Sequence, residues 1–172
     1  DKSALSSLYK KSSINLFVIS GLIFLCIVLN INELYKIIPD KFSIALLVVF
    51  LVSLAKLFDN LLGNNNAILF NSDYYRVVLV LGVVLAILTV VLNILLIPDY
   101  GINGAALATF ISIFIYNSSK LIFVYYKFKM LPFTTNTLKT FILIAISIAV
   151  FYFWEFPFHP IINIILKSLL IV

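Results

Sequence analysis

The stretch VVLVLGVVLAILTVVLNILLI fills positions 77–97 without a single charged residue, and PDYGINGAALATFIS follows at 98–112. A helix needs about 20 mostly apolar residues to cross the hydrocarbon core of a bilayer. A strand of a membrane barrel would instead alternate apolar and polar positions, and this run does not. Pro98 stops the helix and Gly101 permits a tight turn. Beyond the turn, Gly104, Ala108 and Ser112 recur at four-residue spacing, and Ala105 and Thr109 share the same interval. Small residues so spaced let two helices approach closely in lipid. Packing of a helical hairpin is the first expectation for that face, and lining a substrate path is the second.

Further runs of the same kind lie on either side. Ile14–Ile31 carries no charge; Phe42–Leu62 carries Lys56 and Asp59 in its last third; Ile102–Tyr126 is interrupted only by Lys120; Thr140–Trp154 and Pro160–Val172 are shorter. The links Asn32–Lys41, Gly63–Arg76, Pro98–Gly101, Lys127–Lys139 and Glu155–His159 are short, and short links join antiparallel neighbours. The expected fold is all-α, a polytopic transmembrane helix bundle of about six spans. Residues 1–13 form a cytoplasmic segment, 14–126 hold four transmembrane helices, 127–139 a cytoplasmic loop, and 140–172 two further helices with the last one cut. The polar start at Asp1 and the apolar run at the end suit a piece of a longer polytopic protein.

Composition agrees. Of 172 residues, 63% are hydrophobic and 11% charged, with a mean hydropathy of +1.18. Soluble domains are about 45–50% apolar and about 25% charged. Charge this scarce excludes a water-soluble enzyme, and so rich an apolar content excludes disorder. The net charge of +5 is spread over separate loops, so it gives no support to nucleic-acid binding. It follows topology instead, because cytoplasmic loops concentrate Lys and Arg. With the N-terminus inside, the inner set is Lys2, Lys10, Lys11, Arg76, Lys127, Lys129 and Lys139, against Lys36 and Lys41 outside. Glu33, Asp40, Asp99 and Glu155 fall in the outside links. Lys56, Lys120 and Lys167 are expected toward the cytoplasmic ends of their helices. Tyr74, Tyr75, Tyr125, Tyr126 and Trp154 sit near span ends, as interfacial aromatics do.

Few residues point to chemistry. Cys26 is the one cysteine and His159 the one histidine, so a disulfide within the chain is excluded and Cys26 reads as a buried structural thiol. There is no HExxH, GxSxG or P-loop; no enzyme, metal site or cofactor is expected. The informative positions are polar residues inside or beside the spans. Lys56, Asp59 and Asn60 share a helix face, and charges within a span usually face the bundle interior or a water-filled cavity. Lys56 suits an anionic headgroup with Asp59 tuning it; the plain alternatives are a structural ion pair or a lysine snorkelling to the interface. Lys120, with Asn117 three residues before it, reads first as snorkelling. Asn93 suits a hydrogen bond between helices or a sugar contact. Arg76, with Asp73 and Tyr75, suits either phosphate docking or ordinary topology-setting charge. Gly63 with Asn64–Asn66 reads as a helix cap and turn.

Three stretches, LAKLFDNLLGNNNAILFNSDYYRVVL, VVLNILLIPDYGINGAALATFIS and YNSSKLIFVYYKFKMLPFT, resemble the C-terminal half of bacterial polysaccharide biosynthesis proteins. These are Wzx-type oligosaccharide (O-antigen) flippases of the multidrug/oligosaccharidyl-lipid/polysaccharide exporter superfamily. The resemblance runs from about Tyr9 to the end. It implies helices nine to fourteen of a fourteen-helix fold of two bundles, in the multi-pass setting of the bacterial inner membrane. The partners it implies are membrane lipids, a lipid-linked oligosaccharide and an N-terminal bundle of the same protein that this chain lacks. The implied activity is the movement of undecaprenyl-pyrophosphate-linked oligosaccharide between leaflets by alternating access. Lys56, Arg76 and Lys120 are then the candidate pyrophosphate cations. A multidrug or small-cation exporter of the same superfamily, with Asp59 as its in-span acid, is the alternative. A non-transporting scaffold of glycan assembly is another, and an intramembrane glycosyltransferase lacks the loop of paired acids it would need.

Overall fold

The computed structural model describes residues 2–39, 46–154 and 157–171, and every regular element in them is a helix. In chain order these are α1 (Lys2–Tyr35), α2 (Leu46–Leu61), α3 (Asn65–Phe70), α4 (Tyr75–Phe128), α5 (Thr135–Phe151) and α6 (Pro160–Ile171). Asp40, Lys41 and Glu155, assigned above to outside links, lie outside the described residues.

The stretch around Pro98 organises the bundle, but Pro98 does not stop the helix as expected: α4 runs on through it as far as Gly101. Helix α4 is broken at Gly101, whose φ of 56° and ψ of −132° are non-helical and accessible to glycine alone at little cost. Two arms of about 26 residues result, each about 40 Å long at 1.5 Å per residue. They fold back on each other. Leu85 and Leu88 of the first arm share a crevice with Ser112 and Tyr116 of the second. Gly104 lies so close to the first arm that a Cβ there would overlap the Leu96 carbonyl. Ala108 and Ser112 are fully buried on the same seam. The small-residue face is thus the packing surface of the hairpin.

Other boundaries depart from expectation. The polar opening stretch is not a separate segment: it is helical and continuous with the apolar run of α1. A helical turn along its backbone satisfies the same groups whether its side chains are polar or not, so propensity carries the helix outward from the apolar run. The Gly63–Arg76 link is not all loop, for it contains α3. Helix α4 runs on to Phe128, and α5 starts at Thr135 on a capping box in which the Thr134 and Thr137 side chains each accept from the other's backbone N–H. Both trim the 127–139 loop.

Helix α1 is the hub, packing on α2, α5 and α6, while α2 joins α4 and α3 covers one end of it. Contacts fix the directions. Ser13 meets Leu61 and Phe24 meets Phe50, so α1 and α2 are antiparallel. Phe17 shares a crevice with Phe141 and Gly21 sits under Ile144, so α1 and α5 are parallel. Lys167 reaches Leu29 while Ile171 lies by Leu25, which makes α6 antiparallel to α1. Phe58 stacks on Phe114 one turn from the Asp59–Asn117 contact, so α2 is parallel to the second arm of α4. The chain reverses at successive links, as short links demand.

The main core gathers Phe17, Phe24, Leu25, Leu29, Leu57 and Ile144 along α1. A second cluster at the N-terminal end of α1 holds Tyr9, Ile68, Leu69, Val78 and Val124. Much apolar surface stays uncovered, including Leu79, Val80, Val83, Ile87, Ile94 and Leu95 on α4. A contiguous apolar face of this kind marks an interaction surface or a membrane. Among the described residues, two helices, α1 and α4, are long and apolar enough to cross a membrane. Helices α5 and α6 have 17 and 12 residues, about 25 Å and 18 Å, against a hydrocarbon core of about 30 Å.

Candidate functional site

The α2–α4 contact holds a polar cavity of about 180 Å³ inside an otherwise apolar bundle. Three local features build it. First, Phe58 stacks on Phe114 with centroids 4.8 Å apart, which sets the register that brings Asp59 to Asn117. Second, α2 ends in a turn at Gly63, whose φ is +57° and whose missing Cβ would strike the Ser13 backbone. That turn docks on α1: Ser13 Oγ donates to Leu61 O at 2.6 Å and Asn64 N donates to Ser12 Oγ at 3.3 Å. Third, α3 starts directly after the turn and carries Asn66 over the second arm of α4.

Within the cavity the charges are held apart by neutral groups. Asn117, fully buried, donates from Nδ2 to Asp59 Oδ1 at 3.0 Å. Its own Oδ1 is buried with no hydrogen-bond partner among the described residues. Lys120 is 2% exposed. Its Nζ donates to Asn66 Oδ1 at 2.8 Å and lies 4.1 Å from the Tyr116 ring centroid, a cation–π distance. Lys56 lines the same cavity from α2, is exposed, and makes no hydrogen bond or ion pair among the described residues. Two lysines face one carboxylate here, so the cavity carries an excess of positive charge. In a medium of low dielectric such a charge attracts an anion strongly.

The expected residues therefore separate into groups. Lys56, Asp59, Asn117 and Lys120 come together. Asn60 faces the opposite side of α2, where with Lys56 it lines an adjoining groove beside α1. Arg76 is exposed at the start of α4 and its Nε donates to Tyr75 Oη at 3.3 Å, away from the cavity. Asn93 donates to Thr89 O at 2.8 Å, a bond within its own helix and not between helices. Lys120 does not snorkel: it is itself buried, and its position one turn beyond Tyr116 and opposite Asn66 gives it partners inside the bundle. No Lys56–Asp59 ion pair forms, since Asn117 takes the carboxylate. Asn66 and Tyr116 were not anticipated. Tyr116 lies four residues before Lys120 and so on one face with it, a legible signal; Asn66 was hidden in a stretch that reads as a cap.

A second polar cluster joins α1 to α6. Glu33, 1% exposed, accepts from Lys36 Nζ at 2.9 Å. Lys167, 3% exposed, donates to Leu29 O at 3.5 Å. Asn30 donates to Cys26 O at 2.8 Å and to Ser168 Oγ at 3.2 Å, and Asn163 donates to Phe158 O at 3.2 Å. Lys167 thus packs on the last turns of α1, at the opposite end from Lys2, Lys10 and Lys11. The α6 helix enters beside the end of α1, so its second turn meets Leu29.

No family model, curated protein or solved structure matches the chain.

Proposed function

We propose that this chain is a six-span, multi-pass portion of a bacterial inner-membrane flippase. Its cargo is an undecaprenyl-pyrophosphate-linked oligosaccharide, and its mechanism is alternating access against an N-terminal bundle. The observation that carries the proposal is the Lys56 ammonium, without a hydrogen bond or ion pair among the described residues, beside Lys120 in a cavity of net positive charge. Pyrophosphate is the anion such a pair suits, and Asn66, Tyr116 and Asn117 supply neutral contacts for a phosphate or the first sugar. The sequence resemblance supplies the cargo class. Asp59 is held by the Asn117 amide and forms no ion pair with either lysine among the described residues. Arg76 and Asn93 have no part in this site, because each is engaged elsewhere.

The test is glycan-export complementation. The full-length parent gene is placed in a strain lacking its own flippase, with surface polysaccharide as the readout. Restored surface glycan, lost again in Lys56→Ala at equal expression, is the expected result. Normal export by Lys56→Ala overturns the site. Absence of restoration together with gained drug resistance favours the small-cation or multidrug exporter, for which Asp59 is the acid present in the cavity.

A further inference from the structure

Positive charge gathers at one end of the bundle. Tyr9 of α1 packs among Ile68 and Leu69 of α3 and Val78 and Val124 of α4, which draws the start of α1 and both ends of α4 together. Lys10, Lys11, Arg76, Lys127 and Lys129 stand exposed there. None of them forms an ion pair among the described residues. Three of these cations are mounted on tyrosines. Tyr74 meets Phe123 and Phe128 edge-on, with centroids 5.5 and 5.9 Å apart, and so clasps the start of α4 to its end. Lys127 Nζ lies 5.3 Å from the Tyr74 ring centroid, and the Arg76 guanidinium 5.8 Å from that of Tyr75. Lys129 Nζ lies 5.6 Å from the centroids of both Tyr125 and Tyr126. Lys129 is also the one non-glycine residue with a left-handed backbone among the described residues, with φ 56° and ψ 38° at the end of α4. Glycine or asparagine takes that place at less cost; here it carries a lysine that folds back over the last helical turn. Lys2, Lys10 and Lys11 lie over no ring among the described residues. Exposed apolar side chains begin one turn away, with Leu79 and Val80 beyond Arg76 and Ile122 before Tyr126.

We propose that the open end of the α4 hairpin binds the headgroup of an anionic phospholipid of the surrounding bilayer, with Arg76, Lys127 and Lys129 on its phosphate. A cation resting on a ring face is held in place without losing its charge, and its remaining donors are left for phosphate oxygens. The excess of positive charge selects a lipid of net negative charge. Phosphatidylcholine and phosphatidylethanolamine carry a cation of their own that cancels the phosphate. The apolar surface one turn away selects a lipid over a free phosphate compound. Tyr74, Tyr75, Tyr125 and Tyr126 suit the same depth, where an aromatic ring meets the chains and its hydroxyl the headgroups. The site needs a membrane around the bundle but nothing of the Lys56 cavity or its cargo.

The test is lipid retention read by native mass spectrometry. The chain is released from nanodiscs of equal parts phosphatidylglycerol and phosphatidylcholine, and the lipids that stay bound are counted. The expected result is a clear preference for phosphatidylglycerol that excess inorganic phosphate, at matched ionic strength, does not remove. No preference, or its loss to inorganic phosphate, overturns the proposal. Lys129→Gly is the cleanest variant, because a φ of 56° suits glycine and the helix end is kept. The preference should fall about fivefold, the factor that one cation contributes at an anionic surface. An unchanged preference in Lys129→Gly, with native helical content by circular dichroism, overturns the site. Two triple variants then separate a built site from diffuse charge. Arg76→Gln with Lys127→Gln and Lys129→Gln should abolish the preference. Lys2→Gln with Lys10→Gln and Lys11→Gln removes the same charge from the same end and should leave most of it. An equal fall in the two would mean that net charge alone draws the lipid, and the tyrosine-mounted site would be refuted.

Discussion

The two polar clusters of this bundle are made of the same residue types and do opposite things. Where α1 meets α6, Glu33 binds Lys36 three residues along its own chain, while Lys167 of α6 binds the Leu29 carbonyl of α1 and Asn30 bridges to Ser168. Charge meets charge or a fixed dipole, and the helices are tied. Between α2 and α4, Asp59 and Lys120 each meet an amide, and Lys56 makes no hydrogen bond or ion pair among the described residues. A carboxylate held by an amide keeps its charge, and so does an ammonium. Direct Lys–Asp contact would have consumed both. The difference shows how a polar cluster is kept ready for a ligand: opposite charges are separated by neutral donors and acceptors, and a cavity is left where they would have met.

The contrast breaks first at Lys167. Lys167→Ala removes a buried four-carbon stem and the donor to Leu29 O, and should lower stability by about 2–5 kcal/mol, as deletion of other long buried side chains does. Lys56→Ala, at an exposed position, should change stability by no more than about 0.5 kcal/mol. Thermal unfolding followed by helical circular dichroism in nanodiscs reads both. Equal effects at the two lysines would dissolve the distinction between a lock and a site.

Glu33→Gln probes the lock more gently. It keeps the shape and removes the charge that Lys36 meets, so a loss of about 1–3 kcal/mol is expected, the range for hydrogen bonds to charged groups. Asp59→Asn, its counterpart in the cavity, should cost less in stability and should raise pyrophosphate affinity, since it deletes the one negative charge beside Lys56 and Lys120. Isothermal titration with inorganic pyrophosphate measures the second effect, and a fall in affinity would show that Asp59 positions a lysine instead of opposing the anion.

The sequence made much of this legible and left the rest dark for a definite reason. The turn at Gly101, the small-residue seam from Gly104 and the polar face of Lys56 and Asp59 are local patterns, and each appears where its spacing places it, although the helix passes through Pro98 instead of ending there. The α1–α6 lock is not local. Leu29 and Lys167 are 138 residues apart, and nothing in the pattern around either one names the other. Glu33 accordingly read as a link residue, and Lys167 as a charge toward the cytoplasmic end of its helix. Asn66 failed for a different reason: asparagine after glycine is so common in turns that a ligand-facing role carries no separate signal. Asn93 and Arg76 satisfied themselves on their nearest neighbours, which any polar residue in an apolar helix does when no better partner is in reach.

Asn117 gives the smallest and sharpest test of the separation itself. Asn117→Ala removes one bond between helices, worth about 0.6 kcal/mol on average within a membrane, so the melting curve should barely move. Asp59 is then left without its amide, and Lys56 stands one helical turn away on the same face. The two should pair, and pairing should consume the free cation. Pyrophosphate binding should therefore fall several-fold although no phosphate-facing charge has been mutated. Restoring an amide with Asn117→Gln should recover part of it. Unchanged binding in Asn117→Ala would mean that the cavity keeps its charges apart by geometry alone, and that the buried amide is only a packing group.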